Sequence, residues 1–172
     1  MAEPNVLILG VGNVLLADEG VGVHTVARLL EEYDFPPNVQ VMDGGTLGMS
    51  LMEYIQNSDY LIVVDAVRGG HEAGSVYRLE EEGLRKSLGM SDSMHQMDLV
   101  DTLIMCDLST GKRPKAVVFG MEPDSLSMTN LDPELSATGK ASQPKLCAEI
   151  VKELESIGCK VSAKKEVGRK RG

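Results

Sequence analysis

Cysteine, aromatic side chains and long apolar runs are all scarce in this 172-residue chain. The three cysteines form no C-x-x-C pair, a pattern that argues against a disulfide framework and is typical of reduced cytosolic thiols. Tryptophan is absent and phenylalanine occurs twice, so there are few rings on which nucleic-acid bases could stack. The apolar runs at residues 6–9 and 60–64 are too short to span a bilayer. Because the N-terminus also lacks the basic segment of a signal peptide, we expect a cytoplasmic protein without membrane insertion.

Positive charge is concentrated at one end of the chain. The formal net charge is −9, yet the last 13 residues carry six basic side chains and a single acid, Glu166. The rest of the chain is therefore more acidic than the total indicates, which disfavours nucleic acid as a partner. We predict one domain over residues 1–159, followed by a basic, disordered tail over residues 160–172.

Apolar runs alternate with helical patterns along the chain. The runs predict strands at residues 6–10, 39–42, 60–64, 74–79 and 115–120, the fourth of them near a sheet edge. Helices are predicted at residues 19–33, 49–55 and 99–108 and from Pro144 to residue 157, with Asp18 as the N-cap of the first. This order predicts a single three-layer α/β domain with a mainly parallel twisted sheet of about five strands flanked by helices. Ligands of such sheets bind beyond the carboxyl ends of the strands.

Acidic residues follow three of the predicted strands, at what should be one edge of the sheet. Glu19 comes after the first strand, Asp43 ends the second and Asp65 ends the third, while His95 follows the fourth. Two carboxylates and an imidazole, from Glu19, Asp65 and His95, suit a divalent transition metal with open coordination positions. Each residue also has a simpler structural interpretation. Glu19 and His95 would complement helix starts, and Asp43 would stabilise a turn before two glycines.

Several common catalytic and nucleotide-binding motifs are missing. After Gly10 and Gly12, the third glycine of a dinucleotide fingerprint is replaced by Leu15. There is no phosphate-binding Gly-Lys-Ser/Thr loop, no G-x-S-x-G and no H-E-x-x-H. These absences argue against a nucleotide-binding protein, a serine hydrolase of the elbow type and a zinc protease.

The segment Gly10-Val-Gly-Asn-Val-Leu-Leu-Ala-Asp-Glu-Gly-Val-Gly22 resembles the opening signature of the hydrogenase maturation endopeptidases. The later landmarks of that family are matched in order by Asp43-Gly-Gly-Thr46, Val64-Asp65-Ala66 and His95-Gln96. The resemblance covers roughly residues 5–158. It implies an endopeptidase that removes the C-terminal extension from the large-subunit precursor of a [NiFe] hydrogenase once nickel has been inserted.

The resemblance also implies roles for individual residues. It places the metal-contacting positions of the family on Glu19, Asp65 and His95, and the ion would be the nickel carried by the precursor rather than a resident cofactor. Asp43 is the candidate general base of an aspartyl-type protease, and a carboxylate of the metal site is the open alternative for that role. We expect a monomer. Two alternatives stay open: a non-catalytic nickel-binding maturation chaperone with the same ligands, and a metal-dependent hydrolase with another substrate on this fold.

Overall fold

The middle layer of the molecule is a five-stranded β-sheet. The computed structural model of the protein describes residues 3–45, 51–81, 94–124 and 131–165, with the backbone alone for residues 94–100. Its strands are β1 (Val6–Val11), β2 (Tyr33–Asp34), β3 (Val39–Gly45), β4 (Tyr60–Ala66), β5 (Val76–Glu80), β6 (Lys115–Met121) and β7 (Ser162–Ala163). The large sheet has the order β3-β1-β4-β6-β5. All its strands are parallel except β5, which pairs antiparallel with β6 at the edge. The predicted sheet and its polar edge strand are confirmed.

Helices cover both faces of this sheet. They are α1 (Val21–Glu32), α2 (Met52–Gln56), α3 (Met94–Thr110) and α4 (Ala137–Ser156), and a 3-10 helix at Ala17–Gly20 precedes α1. Alternate side chains of β1 enter opposite layers: Ile8 packs in a core with residues of α1 and α4, and Leu9 in a core with residues of α2 and α3. Successive side chains of a strand point to opposite faces of the sheet, so a strand buried on both faces needs apolar residues at every position. The prediction of a three-layer α/β domain is confirmed.

The path of the chain predicts a ligand-binding crevice beyond the carboxyl end of β1. From β1 the chain passes through α1 to β3 on one side, and then through α2 to β4 on the other side of β1. Connections that diverge in this way leave an opening between the two loops that follow the strands. The opening lies beside Gly12, which follows β1, and Asp65, near the end of β4.

The last helix starts earlier than the sequence predicted. It begins at Ala137, and Pro144 lies inside it instead of at its first position. Ser136 is the N-cap, and its hydroxyl accepts a hydrogen bond from the amide of Gly139. An internal proline removes one helical hydrogen bond. Burial of Gln143 and of the apolar face that includes Leu146 compensates for this loss.

The first residues of the predicted disordered tail are ordered, so that prediction is wrong for them. Ser162 and Ala163 form β7, which pairs antiparallel with β2 at the end of α1. The amide of Lys164 donates to the carbonyl of Glu32, 2.8 Å away. Paired backbone groups, rather than apolar periodicity, hold this segment. Residues 166–172 lie outside the described part, as do residues 46–50, where the predicted second helix would begin.

Two further observations bear on the sequence predictions. All three cysteines are buried as free thiols, and Cys106 and Cys147 lie inside helices. Burial raises the pKa of the Cys147 thiol to about 11, so this thiol is protonated at neutral pH. Among the helices of the described ranges, none combines the length and apolar character needed to cross a membrane.

Candidate functional site

The loop after β1 folds back over the end of the strand because of two glycines. Gly12 has a φ of +129°, and a Cβ atom there would lie 2.1 Å from the carbonyl oxygen of Glu19. A Cβ atom on Gly22, in α1, would lie 2.0 Å from the carbonyl oxygen of Val64. Only glycine allows such close backbone contacts. The start of α1 and the 3-10 helix are therefore fixed directly on β1 and β4.

Asp65 lies near the carboxyl end of β4, beside Gly12. Its side chain is 2% exposed, and Oδ1 accepts the amide hydrogen of Ala66 at 2.8 Å. The same oxygen lies 3.6 Å from where a Cβ atom of Gly12 would be. A buried carboxylate is costly to maintain without compensating contacts, and the amide of Ala66 supplies one of them.

Glu19 lies within the 3-10 helix, and its backbone carbonyl closes on Gly12. Its carboxylate is partly buried, with 17% of the side chain exposed, and accepts a charge-assisted hydrogen bond from the guanidinium of Arg68. The backbone carbonyl of Glu19 and the carboxylate of Asp65 thus both lie beside Gly12. The sequence analysis gave Arg68 no role, although its position three residues after Asp65 was the available signal.

Asp18 does not cap α1, so that prediction is wrong. The N-cap of α1 is Gly20, which makes no side-chain capping bond. The carboxylate of Asp18, 1% exposed, instead accepts hydrogen bonds from the amide and hydroxyl of Ser136 and from the amide of Asp124. The donor distances are 2.7–2.9 Å. Asp18 therefore joins the loop after β1 to the start of α4, far along the chain.

Asp43 lies two strands away from Asp65, on the opposite side of β1. Asp43 and Val64 are both register partners of Gly10, so their backbones are about 10 Å apart, at two strand spacings. The exposed Asp43 carboxylate accepts the amide hydrogen of Gly45 at 2.8 Å, which is the turn contact expected of an aspartate before glycine. Its role as general base stays a prediction.

His95 is the second residue of α3, whereas the sequence analysis placed it on a loop before a helix. Its side chain lies outside the described part of the structure, so its predicted role as a metal ligand stays a prediction. Within the side chains that the structure does describe, no group of three His, Cys, Asp or Glu residues is arranged to hold a metal ion. In that part, the carboxylate of Asp65 and the backbone carbonyl of Glu19 lie beside Gly12, and the roles of both residues as metal ligands stay predictions.

The loop after β4 is fixed by Glu122, which follows β6. The partly buried Oε2 of Glu122 accepts the amide hydrogen of Gly69 and the hydroxyl hydrogen of Tyr77, each at 2.7 Å. Burial, together with this hydrogen bond, raises the pKa of Tyr77 to about 12. The amide of Val67 donates to the carbonyl of Met121 at 3.0 Å. Arg68 thus lies between Val67 and Gly69, whose backbone amides are both held by hydrogen bonds.

Comparison with known proteins identifies the family. A family model described as hydrogenase maturation protease matches residues 23–153. The chain belongs to the hydrogenase maturation protease family. It is 32% identical to the hydrogenase expression/formation protein HupD of Rhizobium leguminosarum bv. viciae, over 95% of this chain and 80% of that protein. It is 39% identical to HoxM of Azotobacter vinelandii, over 73% of this chain. The aligned region spans 61% of HoxM, so it covers about three fifths of that relative.

Solved structures of the maturation proteases share the fold. The hydrogenase maturating endopeptidase HybD from Escherichia coli superimposes with a TM-score of 0.82 at 32% identity, over 92% of this chain and 97% of that one. The [NiFe] hydrogenase maturation protease HybD from Thermococcus kodakarensis gives a TM-score of 0.71 at 26% identity, over 87% and 97% of the two chains. The family resemblance stated from the sequence is confirmed, and the prediction of an endopeptidase agrees with these relatives.

Proposed function

We propose that this maturation protease is an endopeptidase that removes the C-terminal extension of a [NiFe] hydrogenase large-subunit precursor after nickel insertion. The observation that carries the proposal is that the Asp65 carboxylate and the backbone carbonyl of Glu19 both lie beside Gly12, in the predicted crevice where the connections from β1 diverge. That crevice is where open α/β sheets bind their ligands. The names of the relatives support the maturation step, and the donor set supports an ion as the recognised feature.

The chemistry of these donors suits an ion that arrives with the substrate. Two carboxylates and one imidazole, from Glu19, Asp65 and His95, would leave coordination positions open for ligands of the precursor. Such an incomplete set binds a lone ion weakly but adds to an ion that is already held. The nickel would therefore position the scissile peptide and polarise groups near it. Asp43, across β1, is the candidate base for the attacking water.

The decisive experiment compares precursor with and without nickel. Purified protein is incubated with nickel-loaded and nickel-free precursor, and cleavage is followed by the size shift of the precursor on a gel. We expect cleavage of the loaded form alone. Efficient cleavage of the nickel-free form would contradict recognition of the ion, and nickel uptake without any cleavage would instead favour the chaperone.

Amide substitutions test the individual residues in the same assay. We expect Glu19→Gln, Asp65→Asn and His95→Ala each to lower cleavage of loaded precursor by at least about 100-fold, because even outer partners of metal ligands contribute 10–100-fold. Asp43→Asn tests the general base. Glu31→Gln, an exposed carboxylate on α1, is the matched control and should keep full activity. Full activity in all three ligand variants would overturn the proposed site.

A further inference from the structure

The salt bridge between Arg68 and Glu19 places a cation at one of the two carboxylates of the crevice. Within the described residues, the other arginine ion pairs, such as Arg28 with Glu32 on α1, lie away from this crevice. An arginine side chain is positively charged at any physiological pH and matches the geometry of a carboxylate. The Glu19 carboxylate is thus engaged by a cation that belongs to the protein itself.

Arg68 is presented to Glu19 from a fixed backbone. The amides on either side of it, at Val67 and Gly69, donate to Met121 and Glu122 respectively. A Cβ atom at Gly69 would lie 2.7 Å from the ring of Tyr77, so the loop packs closely on β5. The side chain of Arg68 is itself 32% exposed and can rotate towards solvent without disturbing these contacts. The backbone on either side of Arg68 is therefore held in place, while the guanidinium can still move away from Glu19.

We propose that Arg68 is a specificity-determining residue that occupies the Glu19 carboxylate in the free protein and is displaced when the substrate brings its own ion. This inference rests on the proposed function, because it requires that Glu19 contacts the ion. A free divalent ion must compete with the guanidinium for Glu19, and it offers no further contacts in return. An ion held by the precursor arrives with the docking energy of the whole substrate. Arg68 therefore makes the site selective for substrate-borne nickel over free ions.

The direct test is the affinity of the free protein for Ni²⁺ alone, measured by isothermal titration calorimetry. Arg68→Gln removes the competing charge and keeps a polar side chain. We expect it to bind Ni²⁺ about tenfold more tightly than the wild type, the equivalent of about 1.4 kcal/mol. A merely structural role would leave the affinity unchanged or lower it. Arg68→Lys keeps the charge without the planar fork and should fall between the two.

The matched control is Arg28→Gln. Arg28 has the same side-chain exposure as Arg68, 32%, and pairs with Glu32 through a similar hydrogen bond, but it lies on α1 away from the crevice. This variant changes the net charge by the same amount and should leave the Ni²⁺ affinity at the wild-type value. An equal gain in Arg28→Gln and Arg68→Gln would reduce the effect to net charge and overturn the inference.

A second substitution separates this inference from the proposed function. In the double variant Glu19→Gln/Arg68→Gln the gain in Ni²⁺ affinity should disappear, because the released carboxylate is gone. If Arg68→Gln gains nothing while Glu19→Gln still loses cleavage of loaded precursor, only the role of Arg68 is overturned. If the gain persists without the Glu19 carboxylate and Glu19→Gln cleaves normally, both proposals fail.

Discussion

Asp18 and Glu19 are consecutive acids in one turn, and the structure gives them opposite surroundings. Asp18 is 1% exposed and accepts hydrogen bonds from two backbone amides and a hydroxyl. The side chain of Glu19 is 17% exposed and is paired with the guanidinium of Arg68. One carboxylate faces α4 and the other faces the crevice.

The difference shows how one acid, Asp18, can fix the turn that positions its neighbour, Glu19. The contacts of Asp18 fix the turn between β1 and α1, because they tie it to Ser136 at the start of α4. Because the contacts of Asp18 hold the turn, the position of Glu19 does not depend on its own side-chain contacts. The Glu19 carboxylate can therefore exchange one binding partner for another. Asp18 should consequently govern the stability of the protein, whereas Glu19 should govern its activity. The predictions below test that division, beginning with the largest expected effect.

Asp18→Ala should cause the largest loss of stability. The substitution leaves the donors of Ser136 and Asp124 without their carboxylate in a buried place. Unsatisfied buried donors typically cost 1–3 kcal/mol, so we expect the free energy of unfolding to fall by about 3 kcal/mol. Urea denaturation followed by circular dichroism measures this change. A loss below about 1 kcal/mol would place Asp18 among ordinary surface acids and contradict the division.

Gly139→Ala should destabilise the protein less than Asp18→Ala does, and its effect should also arise at the Asp18 carboxylate. A Cβ atom at Gly139 would lie 2.4 Å from Oδ1 of Asp18, which is closer than atoms can approach. Overpacking of this kind costs about 1–3 kcal/mol and outweighs the better helix propensity of alanine, so we expect a net loss of about 1–2 kcal/mol. The measurement is again urea denaturation.

A double-mutant cycle supplies the control for this substitution. In an Asp18→Ala background the carboxylate is absent, and Gly139→Ala should become neutral or stabilising. Equal losses in the two backgrounds would show that the cost arises elsewhere in α4 and not at Asp18.

The sequence was sufficient for the sheet. The apolar runs of β1, β4 and β6 are typical of strands buried on both faces, and the structure buries them so. The carboxyl ends of parallel strands meet at one edge, which is why the sequence predicts a site there; the roles of Glu19 and Asp65 in that site stay predictions.

Contacts between distant parts of the chain could not be predicted from the sequence. Arg68 meets Glu19 across 49 positions, and Asp18 meets Ser136 across 118 positions. Neither pairing follows from a local pattern, because each depends on the path of a loop. Local rules also misplaced the start of α4. Pro144 resembles a first helical residue, yet the cap at Ser136 and tertiary burial override that preference.

Glu19→Ala should affect stability far less than the substitution of its neighbour. It removes one partly exposed ion pair, and pairs of this type contribute about 0–1 kcal/mol. We therefore expect the free energy of unfolding to change by less than about 1 kcal/mol, while cleavage of loaded precursor is lost. Parallel urea and cleavage measurements on the same preparation test both halves. A stability loss as large as that of Asp18→Ala would show that Glu19 is structural as well.

The smallest effect is expected at the arginine–glutamate pair that joins β5 to α4. Arg78 donates to both carboxylate oxygens of Glu153, at 2.8 and 3.0 Å, and this hydrogen bonding holds the pKa of Glu153 below its ordinary value of 4.5. A lowered carboxyl pKa stabilises the folded state above the unfolded value, and that stabilisation is lost as the pH falls through the folded pKa. Arg78→Gln should therefore be less stable than the wild type by about 0.5–1 kcal/mol at pH 7 and low salt. The two proteins should converge as the pH is lowered below 4.5 in urea titrations. A difference that stays constant down to pH 3 would mean that Arg78 acts through packing instead of charge.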